Sequence, residues 1–94
     1  MTLTSKNYLT SPKQLSFSLM QSIKKSLPYG SGVKIEDMTG LNTVRISEAF
    51  RNTYPLGYKD WQLKIANAGL TLLEDAGVNV KRIVKLHANQ LQSA

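Results

Sequence analysis

Four stretches of the chain space their hydrophobic residues as helices do, and one spaces them as a strand does. Leu15, Leu19, Ile23 and Leu27 recur every fourth residue with Met20 beside them, which predicts one apolar stripe on a helix of about four turns. Ser11-Pro12 signals its start: the serine can accept from a free N–H, and proline lacks a donor that the first turn does not need. Lys24 and Lys25 sit where the dipole of the last turn favours cations, and Pro28 with Tyr29-Gly30-Ser31-Gly32 ends the helix. Val33 to Phe50 read as two short helices broken at Gly40, the second capped by Asn42 and burying Ile46, Ala49 and Phe50. A turn-rich connection, 52–57, follows. Trp61, Leu63 and Ile65 then alternate with Gln62 and Lys64, the period of a strand with one buried face. Asn67 is placed to cap a further helix carrying Leu70, Leu73 and Ala76, which Gly77 stops in the left-handed conformation. Val80, Ile83, Val84, His87 and Leu91 form a last stripe, with Lys81, Arg82 and Lys85 off it. Residues 1–10 keep no steady period and are expected to be a flexible arm.

Ninety-four residues, 41% of them hydrophobic, predict one small folded domain. No cysteine is present, which excludes disulfides, thiolate zinc sites and thiol catalysis, and one histidine excludes a multi-histidine metal cage. No metal or other cofactor is expected. No apolar run approaches the roughly 18 residues of a membrane span, and the first residues lack the apolar centre of a signal peptide. A cytoplasmic location is therefore expected, with no membrane partner and no evident small-molecule substrate. Twelve Lys and Arg against six Asp and Glu leave a net charge of +6. Residues 1–35 carry five lysines and no acid, whereas 36–60 are slightly acidic. Such a basic excess favours a polyanion through counterion release, though it also serves solubility alone.

Around Gly40 the pattern becomes specific. Ile35-Glu36-Asp37-Met38-Thr39-Gly40-Leu41-Asn42-Thr43-Val44-Arg45-Ile46-Ser47-Glu48-Ala49-Phe50 resembles the helix-turn-helix of DNA-binding regulators. Glycine suits the sharp turn because it takes positive φ freely. Leu41 can plug the angle between the helices, while Ile35 and Ile46 face one another across it. Two positions depart from the family pattern: Glu36 stands where a small residue is usual, and Thr39 where an apolar one is. A carboxylate cannot be buried there without a partner, so Glu36 should point outward. With the helix before and the strand-like run after, the resemblance implies a mainly α fold: a trihelical helix-turn-helix core, a short or rudimentary β wing and a C-terminal helix. Residues 11–94 would form this single winged-helix-like domain.

The resemblance implies sequence-specific binding of double-stranded DNA, in the manner of compact bacterial, phage or plasmid transcription regulators associated with the nucleoid. The helix 42–51 would enter the major groove. Asn42, Thr43, Val44, Arg45, Ser47, Glu48 and Arg51 are the candidate contacts on it, and Lys34, Lys59 and Lys64 flank it as candidate phosphate contacts. Thr43 and Val44 suit a thymine methyl, Glu48 suits cytosine N4, and the arginines suit guanine or phosphate. The blander reading pairs each arginine with Glu48 at helical spacing. Trp61 is read as core and His87 as a partly buried packing residue. Val80, Ile83, Val84 and Leu91 on the helix 78–92 are predicted to form a homodimer interface; the alternative is that this helix folds back on the first.

An enzyme is not expected. The chain has neither a nucleophile-elbow context nor a phosphate-cradling glycine loop, and its adjacent carboxylate pairs diverge on a helix. The competing reading is a protein–protein interaction module of winged-helix shape, a subunit or inhibitor of a larger complex. Glu36, Asp37 and Glu48, three acids beside the supposed reading helix, support it.

Overall fold

The computed structural model describes residues 4–88, and the fold is mainly helical. A 3-10 turn, Pro12–Gln14, precedes five α-helices: α1 Phe17–Ser26, α2 Ser31–Thr39, α3 Thr43–Arg51, α4 Asp60–Asp75 and α5 Val80–His87. No strand occurs among the described residues.

The first stripe is real, but two separate caps serve it. Ser11 accepts from Lys13 N–H at 3.2 Å, and the Gln14 side chain takes the Ser11 N–H at 3.0 Å, closing a capping box around Pro12. The chain then straightens through Leu15, and Ser16 caps α1 by accepting from Leu19 N–H at 3.0 Å. Leu15, Leu19 and Ile23 nevertheless reach one core, because the extended step keeps Leu15 on the inward side.

α4 is the axis around which the rest packs; α1, α2, α3 and α5 all touch it. Every residue from Ile65 to Leu73 is buried. This corrects the strand and wing predicted at Trp61 to Ile65, which form the first turns of α4. In a window of five residues Gln62 and Lys64 between Trp61, Leu63 and Ile65 mimic alternation, although Gln62 is buried and only Lys64 is exposed. The end of α4 is as expected: Gly77 has φ +87°, its N–H reaches Glu74 O and Val78 N–H reaches Leu73 O, the pairing of a Schellman stop.

Asn67, predicted as a helix cap, lies buried inside α4 instead. Its Oδ1 accepts from Leu9 N–H and its Nδ2 donates to Leu9 O, both at 3.0 Å. Thr71, one turn on, accepts from Lys6 N–H at 2.9 Å. Of the stretch 1–10 expected to be a flexible arm, the described residues are held to α4 at Lys6 and Leu9, and Leu9 is buried.

α5 folds back on α1, the alternative to a dimer contact. Val80 is 2% exposed, and Ile83 and Val84 pack against the core within one chain. Leu91 lies outside the described residues. His87 is half-buried, as read: Ser16 Oγ donates to its carbonyl, and Ser18 Oγ lies 2.9 Å from its Nδ1. No helix among the described residues is long and apolar enough to cross a membrane.

Candidate functional site

The turn between α2 and α3 is built from three residues with separate tasks. Gly40 has φ +75°, the left-handed conformation, and caps α2 by donating to Glu36 O at 2.8 Å. Thr39 holds both ends of the turn. Its hydroxyl donates to Ile35 O at 2.8 Å and accepts from Leu41 N–H at 3.2 Å, so it satisfies both the helix end and the turn. Leu41 is half-buried against the core. Glu36 is half-buried too, with no ion pair among the described residues; its neighbour Ile35 takes the inward position.

α3 then starts on Asn42, whose Oδ1 accepts from Arg45 N–H at 2.9 Å. That bond occupies the Asn42 oxygen as the cap. Ile46, Ala49 and Phe50 anchor the helix. Two side chains secure its far end: Gln21 Nε2 donates to Phe50 O, and the Tyr54 hydroxyl donates to Glu48 O at 3.2 Å. The opposite face is open. Thr43, Val44, Arg45, Ser47 and Arg51 are exposed, Val44 by 63%, while Glu48 is half-buried. Neither arginine pairs with Glu48 or with any other carboxylate among the described residues.

Arg45 instead lies over the Trp61 ring, its guanidinium carbon 5.1 Å from the ring centroid. Trp61 meets Tyr54 edge-on at 6.4 Å, and Tyr54 lies 5.0 Å from Tyr58. The Tyr58 hydroxyl is buried without a hydrogen-bond partner, and burial raises its pKa. These three aromatics flank α3 and were not among the predicted contacts. Tyr54 and Tyr58 belong to the 52–59 connection itself, and Arg45 meets Trp61 only across it, so the spacing within α3 does not announce that contact.

The flanking lysines are exposed at three different places. Lys34 is on α2. Lys59 precedes α4, its N–H taken by the Gln62 side chain. Lys64 lines an open groove of about 520 Å³ with Asp60, one turn before it on α4, and Met38 and Thr39 at the end of α2. A second groove, about 530 Å³, runs between the Pro12 turn and the loop after α3, lined by Lys13, Phe17, Tyr54, Leu56 and Tyr58. No cluster of three or more His, Asp or Glu suited to a metal occurs among the described residues.

No protein-family model, curated protein or solved structure matches the chain. What the residues themselves offer is a helix anchored on one side and carrying, on the other, polar donors, the exposed Val44 and two arginines with no ion pair among the described residues.

Proposed function

We propose that the protein is a sequence-specific DNA-binding regulator in which α1, α2 and α3 act as a trihelical helix-turn-helix without a wing. The observation that carries this reading is the exposure of Thr43, Val44, Arg45, Ser47 and Arg51 on a helix held by Ile46, Ala49 and Phe50 behind a left-handed Gly40. A helix of this kind fits the major groove, and its exposed side chains are the types that meet base edges and phosphates. Lys34, Lys59 and Lys64 are further exposed cations, and the net charge of +6 draws the chain towards a polyanion.

Binding of a mixed-sequence duplex, titrated with salt, tests the proposal. If Lys34, Arg45, Arg51, Lys59 and Lys64 each neutralise a phosphate, log affinity falls with log salt at a slope of about −4 to −5. Replacing Arg45 and Arg51 together by Ala abolishes specific binding while the helical circular dichroism is kept. No measurable duplex binding at low salt refutes the proposal and turns the reading to a protein–protein module, for which Glu36, Asp37 and Glu48 would be the polar contacts.

A further inference from the structure

The two arginines of α3 stand in different surroundings. Arg51 is exposed in the last turn with no ion pair or ring contact among the described residues. Arg45 rests over Trp61, and that ring is itself fixed. Trp61 is half-buried and meets Tyr54 edge-on, and the Tyr54 hydroxyl returns to α3 by bonding Glu48 O at 3.2 Å. A guanidinium lying over an aromatic ring gives the ring its face, while its five N–H donors lie in its own plane. None of those donors has an acceptor among the described residues. The side chain is therefore oriented but not consumed.

Its direction follows from helical geometry. At about 100° per residue, Ile46, Ala49 and Phe50 point inward, Val44, Arg51 and the half-buried Glu48 lie on the ridge opposite them, and Ser47 lies on one flank. Arg45 falls about a quarter turn from that ridge, on the flank facing the first turn of α4. The ridge of a helix seated in a major groove meets base edges; its flank meets the groove wall, which is phosphate. We infer that Trp61 is a positioning residue that holds Arg45 as a phosphate clamp, leaving base readout to the ridge with Arg51. The inference rests on the reading of α3 as a DNA-binding helix and divides the labour within it.

A double-mutant cycle on affinity for a labelled mixed-sequence duplex tests it, with salt slopes measured for each variant. Arg45→Ala lowers the magnitude of the slope by about one. Arg45→Lys keeps the slope, because the charge stays, yet binds about two- to ten-fold more weakly, because an ammonium has no donor fork to orient on the ring. Trp61→Leu weakens binding by a similar factor when Arg45 is present and has little effect when residue 45 is Ala; Trp61→Phe retains most of the affinity. Both position-45 variants alter only an exposed side chain, so they stand even if Trp61→Leu fails to fold. Additive losses in the cycle, or Arg45→Lys binding as tightly as the parent, overturn the clamp while leaving α3 as a DNA-binding helix. Absence of duplex binding by the unmodified protein overturns that reading, and the clamp with it.

Discussion

Replacing Asn67 by Leu removes the two bonds that tie Leu9 to the middle of α4. The number and branching of the heavy atoms are kept, so the loss is chiefly that of the polar contacts. Leu9 is 1% exposed and Asn67 4%, and both bonds are 3.0 Å long. With the arm left in place, Leu9 N–H and C=O would both be buried and unpaired, at about 1–3 kcal/mol each. The chain has a cheaper route. Residues 4–10 can leave α4, which exposes Leu9, at about 1.5–3 kcal/mol. It also gives up the Lys6 N–H bond to Thr71, about 0.5–1.5 kcal/mol, and regains conformational entropy. The smaller cost wins, so the expected loss is about 2–3 kcal/mol, accompanied by release of the arm. Urea denaturation gives the first quantity. Trypsin cleavage after Lys6 and hydrogen exchange of the Leu9 amide give the second. A loss below about 1 kcal/mol with the Leu9 amide still protected would refute the reasoning, since it would mean these buried groups find other partners.

Two glycines should respond for opposite reasons. Gly40→Ala meets nothing within 4 Å but forces a side chain into φ +75°, so it costs about 1–2 kcal/mol in thermal or urea unfolding, and Gly40→Asn less. Gly69 lies inside α4, where a new Cβ would come within 2.8 Å of Ile23 Cγ2. Gly69→Ala should therefore destabilise by about 1 kcal/mol, overpacking outweighing the gain in helix propensity; a stabilised variant would show that α1 does not approach so closely. Stability should also fall at alkaline pH. The pKa of Lys6 is raised by its hydrogen bond and charge interaction with Glu74, and burial raises those of Tyr8 and Tyr58. Each folded pKa above its unfolded value gives stability present below that unfolded value and lost as pH rises through the folded one, so the decline begins near about pH 10. Glu74 is held low by Lys6, and its contribution disappears as pH falls below the usual carboxylate range; this arm is small because the 2.6 Å pair is largely exposed. Urea midpoints across the pH range check both limbs.

What could be read from the sequence was local. Gly40, the Asn42 cap and the Ile46, Ala49, Phe50 face all lie within one turn of the residues they serve, and turn chemistry with helical spacing found them. The stripe from Leu15 to Ile23 was found on the same ground, but the extended step before Ser16 was not, since an apolar spacing of four survives it. Trp61 to Ile65 misled because Gln62, read as a solvent-facing position, is buried, while Lys64 is exposed as its type suggests. The partners of Asn67 lie 58 residues away in the chain, so a buried latch looked like a cap. The candidate site divides along the same line. Exposure of Thr43, Val44, Arg45, Ser47 and Arg51 followed from helical phase, whereas Arg45 over Trp61 depends on how the 52–59 connection returns α4 to α3. The packing of α5 on α1 is likewise a tertiary fact: a stripe shows that something must cover it, and not what does.

The central claim is that the outward ridge of α3 is where this protein meets a DNA duplex. Amide chemical-shift mapping during titration with a mixed-sequence duplex at low salt tests it most directly. The largest shifts are expected at 42–51, with the indole N–H of Trp61 moving alongside them. Shifts confined to another surface, such as Lys81, Arg82 and Lys85 on α5, or no shifts at all, would contradict it.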